Sequence, residues 1–154
     1  MNIKYAFSLF LILFIGYANG QSTQQKDSST LSNNGCDQIF TLAETMADFK
    51  DGPDNFDSTL FTYITSKGAE IEESEISFLL TISKASNIVN VQKIDGYFDY
   101  EKDLIKWLRK SGSLWSPAIQ NGHLVCSFRR LDLKFSETGV IATLSNAGYS
   151  THFQ

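Results

Sequence analysis

The apolar positions of this chain change period several times, and each change marks an element. Ile39, Leu42, Ala43, Met46 and Phe49 recur at helical spacing behind Asp37, a suitable N-cap, which predicts a helix that Asp51-Gly52-Pro53 stops. A second helix is predicted from about Asn55, with Phe56, Leu60, Tyr63 and Ile64 on one face and Gly68 as its C-cap. Residues 71–74 read as a connection. The period then falls to two: Ile76, Phe78, Leu80 and Ile82 alternate with mostly smaller or polar side chains, as in a strand with one buried face. Ala85-Ser86-Asn87 turns the chain into a second β-rich run, residues 88–94, so the pair reads as an antiparallel hairpin. Asp95-Gly96 ends it. Asp99 can cap a third helix, whose apolar face is Tyr100, Leu104, Trp107 and Leu108 and which closes at Gly112. Leu114, Trp115, Pro117 and a loop through Asn121-Gly122 lead to a long strand over residues 124–135. On that strand Val125, Leu131, Leu133 and Phe135 share one face, while Cys126, Phe128, Arg130, Asp132 and Lys134 share the other.

The order helix, helix, strand, strand, helix, strand predicts an α+β domain of two layers, a three-stranded antiparallel sheet with helices packed on one face. Phe78, Leu80, Ile82, Leu104, Leu108, Trp115, Val125, Leu131, Leu133 and Phe135 are the expected core.

Ahead of this body the pattern is different. Lys4, an apolar run over residues 6–17 broken only by Ser8 and Gly16, and the small residues of Ala18-Asn19-Gly20 match the three zones of a secretory signal, with cleavage expected before Gln21. A retained membrane anchor is the alternative reading, but the run falls short of the ~20 residues that span hydrocarbon. Residues 21–36 hold almost nothing apolar and read as a flexible tether, whose stretch from Gln21 to Gly35 reaches at most ~50 Å at about 3.3–3.6 Å per residue. The expected organisation is therefore signal 1–20, tether 21–36, domain 37–136 and C-terminal tail 137–154, in a periplasmic or secreted protein.

Charge narrows the partners. The formal charge of −4 becomes −5 once Lys4 is removed, so net charge attracts neither nucleic acid nor an anionic membrane. Membrane contact is expected only through the N-terminal signal or anchor. For Cys36 and Cys126, a disulfide and two free thiols both stay open, since the compartment permits a bridge and the spacing matches no zinc or redox motif. His123 and His152 lack neighbours at ligand spacing, and Glu72, Glu73 and Glu75 read as a solvated connection. With no glycine-rich phosphate loop and no G-x-S-x-G elbow, the sequence points to no enzyme, no cofactor and no metal.

Trp115-Ser116-Pro117-Ala118-Ile119-Gln120-Asn121-Gly122, then Val125, then Leu131-Asp132-Leu133-Lys134-Phe135, resembles the signature of the TonB C-terminal domain family, where W-x-P-A/G-x-x-x-G-x-x-V leads into a strand closing on a hydrophobic-x-F. Phe49-Lys50-Asp51-Gly52, with Leu60 and Tyr63-Ile64, resembles the F-x-G-G segment and following helix of one subgroup. The chain departs from the family in lacking Tyr-Pro after the early helix, in having Ser86 or Asn87 where the hairpin turn carries glycine, and in having Asp132 where proline is usual. It resembles a divergent, short, exported member.

The resemblance implies a module that binds protein or an extended peptide by strand addition to the open edge of residues 124–135, as the TonB box of an outer-membrane receptor adds to TonB. Leu124, Cys126, Phe128, Arg130, Asp132 and Lys134 become the candidate partner-binding residues, with Trp115, Pro117, Gly122, Val125 and Phe135 as the structural motif. A role accessory to TonB-dependent outer-membrane transport is the leading expectation. Its alternatives are an exported inhibitor or immunity-type protein reusing the scaffold, and a short inner-membrane-anchored energy transducer, for which the sequence offers no polar residue suited to a motor complex in the apolar run and no proline-rich arm.

Overall fold

The computed structural model describes residues 35–147, and the expected signal and most of the tether lie outside them. Eight strands, two α-helices and one 3-10 turn follow one another: β1 (Ile39–Phe40), β2 (Asp48–Phe49), α1 (Pro53–Thr65), β3 (Ser74–Ile82), β4 (Ile88–Gly96), α2 (Glu101–Leu108), the 3-10 turn Gly112–Leu114, β5 (Trp115–Ser116), β6 (Ala118–Gln120), β7 (His123–Ser136) and β8 (Gly139–Asn146). The α+β class is as expected. The sheet is larger than three strands: β1-β7-β3-β4 lie in that order, β6 and β8 also pair with β7, and β2 pairs with β5 in a separate ribbon. No helix among the described residues is long and apolar enough to cross a membrane.

The helix expected around Ile39, Leu42, Ala43, Met46 and Phe49 does not form. That segment is extended: Ile39 and Phe40 run parallel to Cys126 and Ser127, Thr45 exchanges main-chain hydrogen bonds with Ile119, and Asp48-Phe49 pairs with Trp115-Ser116. The expected stripe includes Leu42, which is 71% exposed, while Ala47, off the stripe, is buried together with Phe49. Asp37 therefore caps nothing. The physical reason is that β5, β6 and β7 offer hydrogen-bond partners along the path, and the Cys36–Cys126 disulfide draws the start of the segment onto β7.

Elsewhere the local signals act as read. Pro53 begins α1, Phe56, Leu60 and Ile64 form its buried stripe, and Gly68 takes a left-handed conformation just beyond its end. β3 and β4 form the antiparallel hairpin, turned by Ser83, whose hydroxyl accepts the Ala85 and Asn87 N–H groups, and by Ser86 at positive φ. Asp99 does not cap α2. Tyr100 occupies that position without a side-chain bond, and Asp99 instead accepts the Tyr97 hydroxyl.

Two further corrections concern the end of the chain. Asn121-Gly122 is not an open loop: both residues have positive φ and link Gln120 to His123, the two-residue hairpin turn that Asn-Gly favours. Residues 139–146, expected in the tail, form β8, which pairs in unbroken register with β7 from Gly139↔Ser136 to Asn146↔Arg129.

The core gathers the buried residues of both helices with one side of the sheet. Phe56, Leu60 and Ile64 of α1 and Leu104 and Leu108 of α2 pack with Ile76, Phe78, Leu80, Leu131, Leu133, Phe135, Val140 and Ala142. All the expected core residues are in it, with Val125 half-buried at its margin.

Candidate protein-binding face

Strand alternation sends Ser127, Arg129, Leu131, Leu133 and Phe135 of β7 to the helix side and leaves Phe128, Arg130, Asp132 and Lys134 on the other. This second face carries the central candidates, joined by residues that pair with them: Thr81 beside Phe128, Leu79 beside Arg130, Ser77 and Thr143 beside Asp132, Glu75 and Ile141 beside Lys134. Phe128, Leu79 and Ile141 are apolar, yet none belongs to the core cluster, and Ile141 is 63% exposed.

Between the apolar groups lies a fixed polar network. Arg130 Nε donates to both carboxylate oxygens of Asp132, at 2.8 and 3.1 Å, and Ser77 Oγ donates to the same carboxylate at 2.5 Å. Arg130 Nη2 reaches Ser77 Oγ at 3.3 Å. One row along, Lys134 Nζ lies 2.7 Å from Glu75, whose hydrogen bond and charge hold the ammonium above the usual lysine range. Each ion pair spans neighbouring rows or strands, so the guanidinium and carboxylate are oriented before any partner arrives. Fixed donors and acceptors among partly exposed apolar side chains suit recognition of a polypeptide surface.

The remaining candidates separate from this face. Leu124 is exposed at the β6–β7 hairpin, beside a shallow cleft of about 300 Å³ that Phe40, Lys84, His123 and Val125 also line. Cys126 is buried and bonded to Cys36, so it offers no side chain to a partner. The expected open edge is absent as well: β7 pairs with β3 on one side, while β1 and β8 occupy the other over residues 126–127 and 129–136. Over residues 129–135, where β3 and β8 flank β7, no free row of N–H and C=O groups remains, so the expected open edge does not run along that length.

The motif residues are structural. Trp115 is 1% exposed and donates Nε1–H to Ser111 Oγ at 2.8 Å, Pro117 separates β5 from β6, Gly122 completes the hairpin turn, Val125 pairs with Ala118, and Phe135 stacks on Phe98 with centroids 4.0 Å apart.

Some residues of the face were not singled out from sequence. Ser77 and Leu79 are the alternate positions of a strand that was recognised, so the same period would have found them. Ile141 required reading Val140-Ile141-Ala142-Thr143-Leu144 as a strand after the turn at Glu137-Thr138. Arg129, 8% exposed on the helix side, had no local signal: its Nη1 donates to Asn146 Oδ1 at 2.5 Å, while Nε finds no hydrogen-bond partner among the described residues. Burial lowers its pKa and the charge of Asp48 works the other way. Among the described residues no group of three or more His, Cys, Asp or Glu is placed to hold a metal ion. His152 lies outside the described residues.

No protein-family model, no curated protein and no solved structure matches this chain.

Proposed function

We propose that this chain is an exported protein-interaction module on a TonB C-terminal-like scaffold, and that it engages a partner polypeptide through the face of its sheet opposite the helices. The observation that carries the reading is the composition of that face: Phe128, Leu79 and Ile141 stand outside the core around the preset Arg130–Asp132–Ser77 network. The resemblance supplies the scaffold. It is supported by the W-x-P-A signature and by the adjacency of β4, β3 and β7 with α1 before and α2 between them. Export is supported by the signal-like N-terminus, and a disulfide between Cys36 and Cys126 accords with an oxidising compartment.

Among the alternatives, the filled edge of β7 favours an interaction protein that reuses the scaffold over a transducer that docks a receptor peptide by strand addition. The test is an NMR titration of the oxidised protein with a TonB-box-type receptor peptide, alongside Phe128→Lys. Shifts centred on Leu79, Phe128 and Arg130, and a loss of more than about tenfold in affinity in the variant, or 1.4 kcal/mol, with little change in melting temperature, are expected if such a receptor is the partner. Shifts confined to α1 would place the interaction elsewhere and overturn the assignment.

A further inference from the structure

The two long outer edges of the main sheet are kept from pairing further in different ways. Among the described residues β4 pairs with β3 as its one strand neighbour, and its register slips twice, between Ser77 and Phe78 and between Thr81 and Ile82. Such bulges, with Lys93 and Asp95 on the same strand, twist and charge an edge so that another strand cannot lie flat along it. β8 has no bulge, charge or proline over Gly139–Asn146, its register against β7 is unbroken, and it is α1 that packs against it.

In an antiparallel ladder the N–H and C=O of one residue point to the same side, and the side alternates along the strand. The Ala142 N–H is donated to the Asp57 carboxylate of α1 at 2.9 Å, so it points away from β7. The main-chain groups of Val140 and Leu144 point the same way, which makes these three residues the outward row. Asp57 reaches into the middle of that row. The position is not favourable for the charge itself, because burial and the neighbouring Asp54 both oppose ionisation, and the Ala142 N–H offsets them only in part.

We propose that Asp57 is a guard: by occupying the Ala142 N–H, it prevents the β8 edge from pairing with β8 of a second copy of this chain. A second copy is the fitting occupant because a strand without charge pairs with its own two-fold mate without opposing like charges. The joined strands would continue one antiparallel ladder across two molecules.

The test uses the oxidised protein, as wild type, Asp57→Asn and Asp57→Ala, in light scattering from micromolar to millimolar concentration, with amide exchange read at Val140 and Leu144. Asparagine keeps an acceptor in place, so Asp57→Asn should stay monomeric like the wild type. Asp57→Ala should self-associate at a concentration at least about tenfold lower, with protection of Val140 and Leu144 rising with concentration. Near-UV circular dichroism separates a folded dimer from an unfolded variant. Should the alanine variant fail to fold, Asp57→Leu repeats the measurement with a good helix former that cannot accept a hydrogen bond. The proposal is overturned by folded variants that remain monomeric throughout, by a dimer in which Val140 and Leu144 exchange as fast as in the monomer, or by equal association of the wild type or Asp57→Asn.

Discussion

Phe49 and Trp115 face each other across the β2–β5 ribbon with ring centroids 5.2 Å apart, and Phe56 of α1 lies against both, at 4.4 Å and 5.3 Å. The three rings join the extended N-terminal segment, the first helix and the approach to β6 and β7. Trp115 therefore anchors the fold rather than a ligand. Trp115→Ala should cost ~3–5 kcal/mol in urea unfolding, the range for truncating a buried aromatic. Near-wild-type stability would mean that the ribbon closes around the gap and that the anchor lies elsewhere.

Gly96 meets two requirements at once. Its φ is +84°, and a Cβ built there would stand 2.1 Å from the Glu75 carbonyl oxygen across the hairpin. Gly96→Ala should destabilise by more than ~1–2 kcal/mol, since the left-handed conformation alone costs that much for a residue with a Cβ. Amide exchange should show the loss first at the β3–β4 end that holds Glu75 and Gly96.

The disulfide closes a loop between positions 90 residues apart and holds β1, only two residues long, on the central strand. Replacing Cys36 and Cys126 by serine should lower stability by about 2–5 kcal/mol, chiefly by freeing the unfolded chain. Exchange at Ile39 and Phe40 should rise more than exchange within β3.

Asp57 predicts a pH dependence with a definite sign. Burial, first, and the charge of Asp54 raise its pKa above the ordinary 3.8, against the lowering effect of the Ala142 N–H. Between the unfolded value and the raised folded value the native state holds more protons than the unfolded one, so Asp57's contribution to stability falls as pH rises through that window. Asp57→Asn removes this titration and keeps an acceptor for Ala142. Its melting temperature minus that of the wild type should increase from pH 3 to pH 7, and a difference that is flat or decreasing would contradict the assignment.

Arg129 is a charge whose burial is only partly compensated, through Asn146 and the charge of Asp48. Arg129→Met, which keeps the length of the side chain, should unfold within about 1 kcal/mol of the wild type or at higher denaturant, as replacement of buried ionic groups by apolar ones of similar volume often does. A loss of several kcal/mol would show that the bond to Asn146 outweighs the desolvation.

Local patterns in the sequence were sufficient for α1, the β3–β4 hairpin and the inward face of β7, with Gly68 after Ile64 and Ser86-Asn87 between the strands as stop signals; α2 has the expected apolar face but ends at Leu108, capped by Arg109, and Gly112 starts the 3-10 turn instead of closing the helix. They also determined which side chains of β7 face away from the helices, since the period of two holds wherever the strand lies. They did not determine what lies beside β7. Pairing partners are chosen by main-chain groups that are alike in every residue, so nothing in 124–135 announces that β8 and β1 take up its second side. For the same reason the helix expected at Ile39–Phe49 does not form: its weak 3.6-residue pattern is overridden by main-chain pairing with Trp115, Ile119 and Cys126 far along the chain. Only the tertiary structure turned Phe128, Arg130, Asp132 and Lys134 from the side chains of an open edge into part of a covered strand's outer face, because edge and face differ in neighbours and not in sequence.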